Sequence, residues 1–233
     1  MPAVADPQAL FEIALFRGLQ QSELEIINQK LRRHQFPAGT AIITAETPGE
    51  AVYLIHTGTV KIKVDQSDGK EVIIAILGPG NVVGEMSVID SAGRSADVVT
   101  QEDSVLFWLD RSSFNQFVDT MPTLARNLLT VLTSRLRVAV EQIQALCTLD
   151  VYGMVARQLI AFADAYGEES PDAGRLIPLR LTQSDIAGMV GASRERVNQV
   201  FVQLRESKYI NVDQHYRITL YKLDKLRDIV RQR

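Results

Sequence analysis

Over residues 8–31, Leu10, Ile13 and Phe16, then Leu24, Ile27 and Leu31, recur at helical spacing, with a break at Gly18. Between His34 and Asp110 the pattern changes to short β-rich runs: Ala41–Thr44, Ala51–His56, Thr59–Val64, Glu71–Leu77, Ala96–Thr100 and Val105–Leu109. Their separators are Pro37-Ala38-Gly39, Thr57-Gly58, Ser67-Asp68-Gly69 and Gly78-Pro79-Gly80. Asp68-Gly69 between two alternating runs predicts a hairpin, because glycine supplies the positive φ of a tight turn. Many short strands with such turns predict an antiparallel barrel or jelly roll.

After Pro122 about 27 residues run to Leu149 without Gly or Pro, which predicts a helix roughly 40 Å long. Leu129, Leu132, Leu136, Ala139, Ile143 and Leu146 alternate spacings of three and four, the seam of a coiled coil. A parallel homodimer through residues 129–146 is the expectation; a helix packed on its own domain is the competing reading. Asp150 is placed to cap a further helix through about Tyr166, and residues 167–174 (GEESPDAG) read as a loop. The expected organisation is α+β: an N-terminal antiparallel β-roll with flanking helices over 1–120, a dimerisation helix over 121–149, and a C-terminal domain over 150–233.

The 46% hydrophobic and 23% charged residues are ordinary globular proportions. The longest apolar run, Val72 to Leu77, is far short of the ~18–20 residues that span a bilayer. The N-terminal residues lack the charged and apolar regions of a secretory signal, so a soluble cytoplasmic protein without membrane contact is expected. The single cysteine, Cys147, leaves no cysteine framework for an iron–sulfur cluster or a zinc site. The formal net charge of −3 hides an asymmetry: from Leu181 onward ten Lys/Arg face six Asp/Glu, against fifteen and twenty-two in the rest. A basic C-terminal segment on an acidic body suits polyanion binding, or is a solvated helical face.

Within that segment Thr182 and Asp185 approximate a capping box that opens a short helix, Gly191 permits a tight turn, and Ser193 caps a second helix. The core side of this second helix is Val197, Val200, Phe201 and Leu204. Two short helices joined by a glycine-containing turn form a helix-turn-helix, whose second helix enters the major groove by its N-terminal residues. Arg194, Glu195, Asn198 and Gln199 project from one face and suit base edges: Arg to guanine, Glu to cytosine, Asn or Gln to adenine. Thr182, Ser193, Arg196 and Arg205 suit phosphate contacts. Tyr209–Val212 and Tyr216–Tyr221 flank Asp213-Gln214-His215 as a hairpin wing. The competing reading is an ordinary charged helix pair.

A second cassette, Gly84-Glu85-Met86-Ser87 followed by Arg94-Ser95-Ala96, lies between β-rich runs. A glycine before a helical turn lets backbone N–H groups approach a phosphate. Arg94 would then pair with the phosphate charge, Ser95 donate a hydroxyl hydrogen bond, and Glu85 accept one from a ribose hydroxyl. An Arg–Glu pair bracing a loop is the alternative.

Together, the β-roll, G-E-M-S…R-S-A, the long helix ending in Asp-Val-x-Gly and S-R-E-x-V closely resemble the catabolite activator/FNR family, from about Leu10 to the wing. The resemblance implies a β-roll of the cyclic-nucleotide-binding type and a winged helix-turn-helix. It implies a bacterial homodimeric transcription regulator on a palindromic double-stranded operator, with RNA polymerase as a further partner and no catalytic or metal site. By resemblance Gly84, Glu85, Arg94 and Ser95 match the cyclic-nucleotide cassette, and Arg194 and Glu195 the base-reading pair. Cyclic AMP is the effector implied, with Arg135, Ala139, Val140 and Gln142 as candidate contacts on its base side or along the dimer helix.

Three positions depart from the pattern. Ala139 and Val140 stand where cyclic-AMP-binding members carry a Thr-Ser pair that contacts adenine across two subunits; Thr133-Ser134 lies six residues, ~9 Å, too early. Gln199 replaces the usual third base-reading arginine, and Met154 the arginine usual after Asp-Val-x-Gly. Three functions therefore compete: a cyclic-AMP-responsive regulator; a regulator of the same fold answering to another ligand or to none; and a non-DNA-binding regulatory subunit or barrel enzyme. Haem is poorly served by His34, His56 and His215, and a barrel metalloenzyme would need a His/Glu cluster that no spacing supplies.

Overall fold

The computed structural model describes residues 3–67 and 71–232. The Asp68-Gly69 turn lies outside the described residues. The chain forms two compact units, residues 1–64 with 74–137, and residues 65–73 with 138–233.

The first unit opens with 3-10 turns at Pro7–Glu12 and Ala14–Phe16 and the helix α1 (Gln21–Lys30). Next come β1 (Arg32–Phe36), β2 (Ala41–Ile43), β3 (Ala51–Thr57), β4 (Val60–Asp65), β5 (Glu71–Leu77) and β6 (Val82–Val83). The short helix α2 (Glu85–Ile89), β7 (Asp97–Thr100), β8 (Ser104–Asp110) and α3 (Arg111–Thr120) follow. The strands form two four-stranded sheets, ordered β1-β8-β3-β6 and β2-β7-β4-β5, antiparallel in the registers described.

The period-two alternation of β3 and β8 divides two cores. Val52, Leu54, Phe107 and Leu109 face a large core shared with Leu10, Phe16, Leu24, Ile27, Phe114 and Phe117 from the helices. Ile55 and Leu106 face a smaller core completed by Ile43, Val60, Val83 and Val98, contributed by both sheets, with Tyr53 and Phe36 at its margin. That second face is the inside of the β-roll. Asp110 caps α3 by accepting from the Ser113 N–H at 2.8 Å.

The long helix α4 (Pro122–Thr148) starts on proline, whose missing N–H costs nothing at a first helical position. Its two faces have different fates. Leu124 and Leu128 are buried in the large core, and Val131 and Leu132 pack half-buried against it. Leu129, Leu136, Val140, Ile143 and Leu146 stay 57–66% exposed. Leu132, read from its spacing as a seam residue, thus belongs largely to its own unit, whereas four other seam leucines and isoleucines are uncovered.

The second unit continues with α5 (Val151–Tyr166), capped by Asp150 accepting from the Gly153 N–H at 2.8 Å. The 167–174 stretch is not entirely loop. Its Glu168–Glu169 forms a short strand, β9, paired antiparallel with β10 (Arg175–Ile177). The helices α6 (Gln183–Val190) and α7 (Arg194–Glu206), the strands β11 (Ile210–Val212) and β12 (Ile218–Leu220), and α8 (Leu223–Gln232) complete it. Its sheet is ordered β11-β12-β10-β9, so a winged helix-turn-helix stands on α5 and α8. Among the described residues no helix is long and apolar enough to cross a membrane.

Candidate functional site

In the first unit the cassette residues converge around Arg94. Gly84 has φ +84°, and a Cβ there would sit 2.4 Å from Arg94 Nη1, 2.9 Å from Ile43 Cδ1 and 3.2 Å from the Ala51 carbonyl. Only glycine lets the guanidinium lie against this backbone. Arg94 Nη1 donates to the Gly84 carbonyl at 2.6 Å and to Ser87 Oγ at 2.8 Å, and Nη2 donates to the Ala51 carbonyl at 2.6 Å. Of the five guanidinium N–H groups, Nε–H and one on Nη2 keep no acceptor among the described residues. Burial pulls the pKa of Arg94 below its ordinary value, while Tyr53, Glu85 and Glu50 oppose the shift electrostatically. An arginine stays charged through such a shift. The result is a buried, fixed cation with part of its fork open to a further acceptor.

Glu85 is 1% exposed. Its Oε1 is paired with Arg135 Nη1 from α4, whose Nη2 also donates to the Val82 carbonyl. The loop-bracing Arg94–Glu85 pair is therefore not what forms: the glutamate is braced from fifty residues away. Its Oε2 is buried and has no hydrogen-bond partner among the described residues. A buried carboxylate oxygen left unpaired is costly, so the geometry offers one acceptor to an incoming donor beside an open cationic fork. A group carrying a hydroxyl and an anion a few atoms apart matches both.

Not every expected residue joins this cluster. Ser95 and Met86 are exposed, and Ser95 makes no hydrogen bond among the described residues. Ala139 and Val140 are exposed and Gln142 is half-buried, all on the part of α4 that belongs to the second unit. Three contributors carried no sequence signal. The Ala51 carbonyl is one, since a backbone acceptor is independent of residue type. Gly49 is another: a Cβ on it would lie 2.6 Å from Ser87 Oγ, so it allows the loop to close on α2. Tyr53 is the third, two residues beyond Ala51 on the inner face; burial raises its pKa and the charge of Arg94 opposes this.

In the second unit Thr182 and Asp185 cap α6 reciprocally. Asp185 N–H donates to Thr182 Oγ1 at 3.1 Å, and Thr182 N–H to Asp185 Oδ2 at 2.9 Å. Gly191, at φ +65°, ends the helix in the left-handed conformation. Ser193 then caps α7 by accepting from the Arg196 N–H at 3.3 Å. Val197, Val200, Phe201 and Leu204 are buried, and Arg194, Glu195, Arg196, Asn198 and Gln199 are all exposed. Beside them a cleft of about 410 Å³ is lined by Thr182, Gln183, Arg194, Arg205 and Tyr216, among others. The wing turn is held by Asp213 Oδ1, which accepts from the His215 and Arg217 N–H groups at 2.8 Å each. Arg180 stacks over Tyr216 at 5.0 Å. A polar helix tip flanked by a rigid wing is the surface a double helix requires.

Two stretches of the chain match known domain models. The model of the cyclic nucleotide-binding domain matches residues 33–121, and that of the Crp-like helix-turn-helix domain matches residues 154–229. A CRP-like cAMP-activated global transcriptional regulator of Mycobacterium tuberculosis is 31% identical over 206 residues, 88% of this chain and 92% of that protein. A cyclic AMP receptor protein of Thermus thermophilus is 31% identical over 198 residues, 85% of this chain and 88% of that one. Among solved structures, the catabolite activator protein of Thermus thermophilus aligns with a TM-score of 0.53 at 28% identity, over 94% of this chain and 99% of that one. With a cyclic nucleotide-binding β-domain followed by a Crp-like helix-turn-helix over most of its length, this chain belongs to the CRP/FNR family of DNA-binding transcription regulators.

Proposed function

We propose that the protein is a homodimeric regulator controlled by cyclic AMP bound inside the β-roll. The observation that carries this reading is the buried Glu85 Oε2 without a partner, next to the open fork of Arg94. A cyclic nucleotide fits that pair: its ribose 2′-hydroxyl donates to Glu85, and its cyclic phosphate accepts from Arg94. Arg135, paired with the other carboxylate oxygen, holds Glu85 in place. The relatives, one described as cAMP-activated and one as a cyclic AMP receptor protein, support the choice of base.

Dimerisation is supported by the uncovered leucine and isoleucine face of α4, since exposed apolar side chains at coiled-coil spacing are stabilised by a partner. In a parallel pair each recognition helix would reach one half of a palindrome, one helical turn from the other. The ligand acts as a switch only through a stronger affinity for the DNA-competent arrangement.

A second reading, a regulator answering to another ligand or to none, is favoured by Ala139 and Val140, which have no side-chain group to hydrogen-bond an adenine. Calorimetric titration of cyclic AMP, with cyclic GMP alongside, into protein unfolded, stripped of nucleotide and refolded separates the two. Saturable cyclic AMP binding of micromolar strength that tightens operator binding is expected. No heat and no thermal stabilisation at millimolar nucleotide refutes cyclic AMP control and leaves the second reading.

A further inference from the structure

Arg180 lies between the buried Leu179 and Leu181 in the link from β10 to α6, and its guanidinium stacks over the ring of Tyr216, 5.0 Å from the centroid. Backbone bonds fix this link to the wing: Leu181 N–H donates to the Tyr216 carbonyl at 3.0 Å, and Tyr216 N–H to the Asp213 carbonyl at 3.2 Å. Tyr216 is 48% exposed and holds φ +60°, a left-handed conformation that a tyrosine keeps only where its surroundings impose it. Arg180 makes no hydrogen bond or ion pair among the described residues. Arg205, in the last turn of α7, donates from Nε to the Phe201 carbonyl at 3.4 Å and has no ion pair among the described residues. Tyr216 and Arg205 line the cleft beside the tip of α7 together with Arg194. The one carboxylate lining it among the described residues, Asp213, is engaged through Oδ1 by two N–H groups of the wing turn.

A guanidinium stacked on a ring uses its flat face, and its N–H donors stay available around the edge. However it turns in its own plane, it presents a positive charge and donors, so the stack sets the place of a cation without having to set an orientation. Two cations from different elements, neither with an acidic partner, border the cleft into which the first residue of α7 also projects. Such a site takes an anion, and beside a helix that reads the major groove that anion is the DNA backbone. We propose that Arg180 and Arg205 hold the phosphate backbone of each operator half-site at this cleft, with Tyr216 as the positioning residue that keeps Arg180 there. These contacts carry no sequence information; they set the register of α7 over the bases that Arg194 meets. The proposal rests on α7 being the helix that faces the bases and is independent of which effector the β-roll takes.

The test uses full-length protein and a duplex recovered by selection from a randomised library, with and without cyclic AMP, and follows binding by fluorescence anisotropy over a series of salt concentrations. Arg180→Ala and Arg205→Ala are each expected to flatten the plot of log K against log salt by about one for every chain bound. Both should weaken operator and unrelated DNA alike and leave base preference unchanged. Arg180→Lys, which keeps the charge, restores the slope. Tyr216→Phe keeps the ring and binds as the wild type does, whereas Tyr216→Ala weakens binding but adds nothing in the Arg180→Ala background. Replacing backbone phosphates one at a time by neutral methylphosphonates locates the contact: at a position in each half-site the replacement weakens the wild type and leaves Arg180→Ala unaffected. An unchanged salt slope in Arg180→Ala overturns the proposal, as does the lack of any phosphate whose neutralisation that variant ignores. Additive losses from Tyr216→Ala and Arg180→Ala remove the positioning role of Tyr216. Arg194→Ala, run in parallel, separates the failures: if it alters base preference while the slope of Arg180→Ala is unchanged, only the backbone contact is wrong. If Arg194→Ala alters no preference, the reading of α7 fails.

Discussion

Replacing Gly84 with alanine tests the cradle of Arg94, and Gly39 supplies the control. Both glycines have a left-handed backbone, φ +84° and +78°, but a Cβ on Gly39 would meet nothing within 4 Å. Gly39→Ala therefore bears only the conformational cost, ~1–2 kcal/mol. At Gly84 the same cost is joined by a contact of 2.4 Å to Arg94 Nη1, together with 2.9 Å to the methyl of Ile43. The guanidinium has to withdraw, giving up hydrogen bonds to two carbonyls and Ser87. Hydrogen bonds from a charged donor contribute about 1.5–3 kcal/mol each. Partial replacement by water leaves an added loss of roughly 2–4 kcal/mol, so Gly84→Ala should cost ~3–6 kcal/mol in all. Urea unfolding followed by tryptophan fluorescence reads this directly, because the one tryptophan, Trp108, lies in β8 of the same unit. Equal destabilisation by the two substitutions would show that Arg94 is not held as described. Nucleotide titration should separate them too, with binding lost in Gly84→Ala and kept in Gly39→Ala.

Ile143→Asp places a charge in the uncovered face of α4, and sedimentation equilibrium should find a monomer; an unchanged dimer would move the interface elsewhere. Thr182→Ala removes one half of the reciprocal cap and should lower stability by about 1 kcal/mol, with base preference retained; a shifted preference would make Thr182 a base contact. At Asp110 burial raises the carboxyl pKa, but hydrogen bonds from Ser113 and nearby backbone N–H groups outweigh it and hold the pKa below its usual value. The stability this contributes is present above the unfolded value of ~3.9 and is lost as pH falls through the folded one. Asp110→Ala should cost about 1 kcal/mol at neutral pH and flatten the acid limb below pH ~4; parallel limbs would refute the assignment.

Much of the fold was legible where a signal and its effect lie within one helical turn. Asp150 capping Gly153, Thr182 with Asp185, Gly191 at the turn and Ser193 before α7 all follow from residues three or four apart, and each is found. Elements without an amphipathic record were not legible. The strand β1, Arg32-Arg33-His34-Gln35-Phe36, is exposed along almost its whole length; it exists because β8 supplies a hydrogen-bonding edge and Trp108 a ring for Arg32, 4.9 Å away. The two-residue β6 is too short for any period to register.

The amino-acid sequence by itself determined the order of the parts: a β-roll with a Gly-Glu…Arg-Ser cassette, an unbroken helix with an apolar repeat, and a capped helix pair. Hydrophobic period, turn chemistry and capping act over a few residues and survive into the folded state unchanged. Only the tertiary structure decided who pairs with whom. Arg94 turned to three acceptors, two of them backbone carbonyls, and Glu85 took Arg135 from a helix fifty residues on. Leu132 packed half-buried against its own unit's core while Leu129 and Leu136 stayed out, and the side chain of Gln183 met that of Asn198. The reason is common to all of these. A buried polar group takes whichever partner the packing brings within 3 Å, and packing is a property of elements distant in sequence, including the backbone that every residue shares.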